Sequence, residues 1–302
     1  MTSTHARGTA EMTAAMIISG TVGLFVVLSG QPVLNIVFWR CVFGAGVLLA
    51  VCAGLGLFRR RRISLPQAGL AALGGVAIAI NWILLFAAYP RASISVATAV
   101  YNTQPFMLAV MAAVIFGEKL TASRLGWMVM AFAGMLAIIQ GRPGAVTGAG
   151  AGGYLAGVGL SLGAAFFYAA AAIIAKKLKG IPPHLIAFIQ LATGLLTLAP
   201  LADFGQMPAD LHAWALIVTL GVIHTGFMYV LLYGAIQKLP ASLAGSLSFI
   251  YPAVAIVADF LVFGIRLGLL QMAGVAVILL AAAGAAFGWS LTGRPAERTG
   301  SC

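Results

Sequence analysis

Apolar stretches long enough to cross a bilayer recur about every 30 residues along the chain. They fall at 12–30, 33–57, 67–88, 94–116, 121–140, 154–175, 183–202, 212–235, 242–262 and 268–290. A helix rises 1.5 Å per residue, so roughly 20 apolar residues cover the hydrocarbon core. Inside lipid the backbone must satisfy its own hydrogen bonds, which leaves helices or a closed barrel. Runs of this length select helices. Only 8% of the 302 residues are charged, 62% are hydrophobic and the mean hydropathy is +1.07, whereas a soluble domain carries about a quarter charged residues. The expected fold is all-α: a polytopic membrane protein of ten transmembrane helices.

The net charge of +11 comes from basic residues in the short turns, which suits lipid headgroups and topology signals rather than nucleic acid. With the N-terminus inside, thirteen lysines and arginines fall on the inner side, among them Arg7, Arg59 to Arg62, Lys176, Lys177 and Lys238. Only Arg91, Arg142 and Arg266 fall outside. The positive-inside rule therefore puts both termini in the cytoplasm. Cys41, Cys52 and Cys302 form no disulfide framework.

The stretch from Ser95 to Leu120 aligns without a gap onto Ser242 to Leu267 at an offset of 147 residues. Ser95 meets Ser242, Pro105 meets Pro252, and Phe116-Gly117 meets Phe263-Gly264; residues 84–120 share ten identities with the second copy. Residues 141–153 (GRPGAVTGAGAGG) are rich in Gly and Ala and read as a linker. The division is thus 1–140, a first five-helix repeat; 141–153, linker; 154–290, a second repeat; and 291–302, a polar cytoplasmic tail. Five is odd, so the second repeat enters the membrane from the opposite side, the arrangement expected of alternating access. A proline within a helix lacks its N–H and clashes with the carbonyl four residues back. Pro105 and Pro252 are therefore expected to kink their helices, freeing the carbonyls of Tyr101 and Ser248, and to act as hinges beside a central cavity.

No HExxH, paired CxxC, P-loop or GxSxG motif occurs, and the scattered histidines form no metal-ligand pattern. No enzyme activity, catalytic residue, metal or cofactor is expected. The polar and aromatic residues at mid-depth are Asn81, Trp82, Thr98, Tyr101, Asn102, Tyr168, His224, Tyr229, Ser246, Ser248 and Phe249. Thr98, Tyr101, Asn102 and Pro105 share one helical face. These are candidate substrate contacts, although some would serve equally as interhelical hydrogen-bond glue. His224 fits either a proton relay or a buried neutral ring. Arg40 and Asp259 are the only charges placed within the helices, at similar depth. Two readings fit them: an intramembrane ion pair, or snorkelling to the headgroups. Either leaves the central cavity uncharged, which suits a neutral or zwitterionic solute. Small-residue spacings at Gly153/Gly157, Gly159/Gly163 and Gly284/Gly288 suit close helix packing, or the face of a weak homodimer.

Phe38-Trp39-Arg40, Gln104-Pro105, the turn FGEKLT from Phe116 to Thr121, and its second copy in Tyr251-Pro252 and FGIRLG from Phe263 to Gly268 resemble the drug/metabolite transporter superfamily, EamA type. Within it the chain looks most similar to bacterial exporters of aromatic amino acids. Ile265 stands where the second copy usually repeats Glu118. The resemblance implies a multi-pass carrier in the bacterial cell inner membrane that exports amino acids, with a cavity lined by the first, third, fourth, sixth, eighth and ninth helices. Its partners would be a small-molecule substrate and membrane lipids; the alternatives are export of another neutral metabolite or drug, or, from another class, a membrane pore or scaffold.

Overall fold

A computed structural model describes residues 3–60, 63–117, 120, 122–141, 151–178, 180–239 and 247–290. Helices α1 (Ser3–Leu28), α2 (Val33–Gly54), α3 (Leu57–Arg60) and α4 (Leu65–Ala92) come first. Next are α5 (Ile94–Tyr101), α6 (Gln104–Phe116), α7 (Ala122–Gln140), α8 (Ala151–Lys177) and α9 (Pro183–Leu198). Helix α10 (Leu211–Gly221) passes through a π-helical turn (Val222–Phe227) into α11 (Met228–Lys238), and α12 (Ile250–Phe263) and α13 (Leu269–Phe287) complete the set. Among the described residues six helices are long and apolar enough to cross a membrane, and four shorter apolar helices accompany them. Val114, Val129, Leu196 and Leu261 are 70–79% exposed on the flanks. Apolar surface of that extent belongs against lipid. The protein is an all-helical, multi-pass membrane protein.

The helix ends follow local chemistry. Ser64 and Gln67 form a reciprocal capping box at the start of α4, satisfying two otherwise orphaned donors. Asp210 accepts from the Ala213 N–H at 2.7 Å to start α10. Helices α6 and α12 end alike, with Gly117 (φ +68°) and Gly264 (φ +65°) in the left-handed region, which glycine enters without a Cβ penalty. Helix α1 begins at Ser3, nine residues before the apolar run, because Glu11 pairs with Arg7 one turn back and with Lys238 of α11. Helix α8 begins at Ala151, inside the stretch read as linker. Residues 142–150 of that linker, Glu118, Lys119 and Thr121 of the turn, and the 291–302 tail lie outside the described residues.

The packing has a regular plan. Helix α4 runs along α8, and α1 along α11; α2 packs on α9, and α7 on α13. Helix α4 also meets α9, as α2 meets α10 and the π turn, while α1 meets α12 as α8 meets α5 and α6. Shift the first half by 147 residues and α1 falls on α8, α2 on α9, α4 on α10–α11, α5–α6 on α12, and α7 on α13. Under that exchange each of these contacts maps onto another or onto itself.

Several crossings are close enough to depend on glycine. Gly134 of α7 and Gly274 of α13 face each other, so that a Cβ on either would lie under 3 Å from the other's carbonyl oxygen. Helix α2 presses on the π turn: a Cβ at Gly221 would sit 2.4 Å from the Phe43 Cβ, and one at Gly226 2.5 Å from the Val47 Cβ. Gly157, Gly163 and Gly284 also pack inward, on Ala92, Leu84 and Trp127. Gly221→Ala and Gly226→Ala should each destabilise the protein by about 1–3 kcal/mol, read as a lower unfolding midpoint in detergent. At Gly46 an added Cβ meets nothing within 4 Å. Gly46→Ala should be neutral or stabilising by up to about 1 kcal/mol. A Gly226→Ala protein as stable as its parent would show that the crossing has slack.

Candidate functional site

The helix carrying Pro105 is broken rather than bent. Helix α5 stops at Tyr101 and α6 starts at Gln104, with Pro105 in its first turn. The Asn102 Nδ2 donates to the Thr98 carbonyl at 2.7 Å, and the Thr103 hydroxyl to the Val100 carbonyl at 2.8 Å. These side chains engage the last carbonyls of α5, while Pro105 occupies a position where a helix needs no N–H. The expected mid-helix kink is thus replaced by two half-helices. Pro252 likewise lies in the first turn of α12, after a break at Phe249.

A cavity of about 380 Å³ lies beside these breaks. Tyr101, Asn102, Gln104 and Pro105 contribute from one half, and Ser248, Phe249 and Tyr251 from the other. The 147-residue offset pairs Tyr101 with Ser248, Asn102 with Phe249, and Gln104 with Tyr251. Trp82, Phe86 and Tyr89 of α4, Tyr168 of α8, and Tyr229 and Leu232 of α11 add to the wall, and Met12 and Met16 of α1 with Ile236 of α11 complete one end. The Tyr101 and Tyr168 rings meet edge to face at 6.0 Å. A second cavity, of about 420 Å³ between α6, α7 and α8, has Thr103 as its sole polar lining residue. It offers nothing to orient a polar solute, so the first cavity is the candidate site.

Of the predicted contacts, Trp82, Tyr101, Asn102, Tyr168, Tyr229, Ser248 and Phe249 line this cavity. Asn81, Thr98 and His224 do not. Asn81 is buried and donates to the Ala164 carbonyl at 2.7 Å and to the Tyr101 hydroxyl at 3.3 Å, so it braces a wall residue from behind. Thr98 is buried within α5. The His224 ring turns toward α1: Nε2 lies 3.0 Å from the Thr21 hydroxyl, Nδ1 lies 3.2 Å from the Thr219 carbonyl, and Phe25 packs against it. The ring is held between the Thr219 carbonyl and Thr21, whose hydroxyl also donates to the Ile18 carbonyl at 2.9 Å. His224 is thus buried behind the cavity wall rather than part of it. Ser246 lies outside the described residues. Tyr89 escaped the sequence reading because α4 continues past the apolar run to Ala92. Gln104 and Tyr251 were legible as the residues preceding the two paired prolines.

The expected Arg40–Asp259 pair does not form, and neither residue snorkels: they are 3% and 1% exposed. Arg40 Nε donates to the Thr225 hydroxyl at 2.6 Å, and Nη2 to the His224 carbonyl at 3.3 Å. The π turn makes this possible. Its widened helix lets the Thr225 hydroxyl donate to the Leu220 carbonyl, five residues back, at 2.9 Å, leaving its lone pairs for Arg40. Glycine at 221 and 226 lets α2 come close enough for the contact. The guanidinium carbon stands 4.1 Å from the Trp82 ring centroid and 5.5 Å from that of Phe86, in cation–π range. Arg40 lines the cavity, so the expected uncharged cavity is corrected to one with a cation in its wall. Asp259 instead accepts from the Ser95 N–H at 2.8 Å and the Ser95 hydroxyl at 2.6 Å. There it caps the positive end of α5 from the other half of the chain.

These features define a helical membrane carrier of small molecules: matched halves, paired helix breaks and a polar-aromatic cavity between them. The model of the EamA-like transporter family matches residues 8–140 and again 155–287, and the chain belongs to that family. It is 29% identical over 273 residues to the uncharacterized transporter YxxF of Bacillus subtilis (strain 168), covering 89% of this chain and 86% of that one. A crystal structure 19% identical in sequence superposes with a TM-score of 0.64 over 92% of this chain and 96% of its own, so the two share a fold.

A double-mutant cycle checks the partners found for the two charges. Ser95→Ala and Asp259→Asn should couple by about 1–3 kcal/mol in unfolding free energy, whereas Arg40→Gln and Asp259→Asn, which share no partner, should add to within about 0.5 kcal/mol. Strong coupling between the latter two would restore the ion pair.

Proposed function

We propose that the protein exports amino acids, aromatic ones in particular, across the bacterial cell inner membrane by alternating access. The reading has ten spans in two inverted five-helix repeats, 1–140 and 154–290, with both termini cytoplasmic. The observation that carries it is the cavity walled by repeat-related residues on either side, Tyr101, Asn102 and Gln104 facing Ser248, Phe249 and Tyr251. The exchange symmetry of the helix contacts and the two family matches, offset by 147 residues at both ends, support the repeat.

Short connections make successive helices antiparallel, so Arg7, Lys177 and Lys238 share one end of the bundle, the cytoplasmic end by charge. The cavity reaches toward that end at Met12 and Ile236. At the other end Asp259 ties α12 to α5 through Ser95. Asn35 also ties the start of α2 to the segment after α9, donating to the Asp203 and Gln206 carbonyls at 2.9 and 3.0 Å. This arrangement is a cavity open inward and closed outward. Exchange to the opposite state requires the Ser95–Asp259 contact to part, with the breaks at Pro105 and Pro252 taking up the change in angle. A pore would be lined from end to end; a scaffold would tolerate substitution around the cavity.

In proteoliposomes the purified protein should carry labelled phenylalanine and tryptophan saturably, with flux above that of protein-free vesicles. Tyr101→Ala, losing a ring contact and the Asn81 bond, should weaken apparent affinity by about tenfold. Flux equal to that of empty vesicles for every amino acid would end this reading.

A further inference from the structure

We propose that Arg40 is the anion-binding residue of the cavity, taking the carboxylate of the transported solute, and that the protein therefore selects small carboxylates with an apolar or aromatic body. This rests on the carrier reading above and narrows it.

A guanidinium carries five N–H donors. The two engaged by Arg40 go to uncharged oxygens, Thr225 Oγ1 and the His224 carbonyl. Among the described residues no carboxylate lies within ion-pair distance of Arg40. The four described acids have other partners: Asp259 is on Ser95, Glu11 on Arg7 and Lys238, Asp203 on Gly205 and Gln206, and Asp210 on Ala213. A buried charge without a counter-ion is costly in a low-dielectric interior. Yet this one is held in place on two sides, by the π turn and by the faces of Trp82 and Phe86. An entering carboxylate would offset that cost. It would also find donors in the hydroxyls of Tyr89, Tyr101, Tyr229 and Tyr251, which line the same space. The methionines and Phe249 on the wall offer room for an apolar body. A volume of about 380 Å³, at the small end of ligand pockets, fits one such solute.

The test uses the wild-type protein, so it does not depend on whether Arg40 variants fold. Thermal unfolding in detergent is followed with increasing 3-phenylpropionate or 3-phenylpropionamide, alongside competition by both against labelled phenylalanine in proteoliposomes. The acid should raise the unfolding midpoint, as a ligand of the folded state must. It should compete at a concentration at least about tenfold lower than the amide. Arg40→Lys should keep part of that preference and Arg40→Gln should lose it. Equal effects of acid and amide, or no stabilisation by either, would overturn the anion site, and phenylalanine flux would then show whether the carrier reading survives. If the acid stabilises the protein but phenylalanine does not move, the anion site stands and the amino-acid reading falls.

Discussion

The centre of this molecule is organised by the need to seat one buried guanidinium in the cavity wall. A charge buried in a helical bundle within lipid must find oxygen lone pairs or aromatic faces, and Arg40 has both. Meeting that need shapes three other elements. The α10–α11 helix widens into a π turn, so that a hydroxyl and a carbonyl face α2. Glycines at 221 and 226 remove the bulk that would hold α2 away. Trp82 and Phe86 of α4 close over the cation, joining a third helix to the seat.

The second organising constraint is the backbone itself. Interrupted helices are tolerated within a bilayer only where they are buried in protein or line a cavity. The breaks before α6 and within the segment leading to α12 do both. Side chains take up the stranded carbonyls: Asn102 and Thr103 bond back onto α5. Asp259, reaching from α12, caps the α5 start. The opposite ends of the same two interrupted helices are thus treated differently. One end carries the cavity wall, and the other is fastened by a carboxylate to two donors of Ser95. Because the fastening joins one half of the chain to the other, any relative movement of the halves must act on it.

Much of this architecture was written in the sequence. Apolar length fixed the helices because lipid admits no other use for such runs. The 147-residue self-match marked Pro105 with Pro252 and Gly117 with Gly264, since duplicated backbone breaks need duplicated residues. The ring-bearing residues flanking those breaks, Tyr101 and Phe249 among them, were legible as cavity wall for the same reason. What the sequence could not convey was direction. Depth along a helix is readable from residue number, but azimuth relative to a neighbour depends on how helices from distant parts of the chain pack. Arg40 and Asp259, matched in depth, therefore looked like partners and proved to face different elements. His224 and Asn81 sat at the right level and turned away from the hollow. Only the tertiary structure decided that the cation belongs to the cavity, because its placement is set by a π turn and two glycine contacts nearly two hundred residues away, a geometry no local pattern encodes.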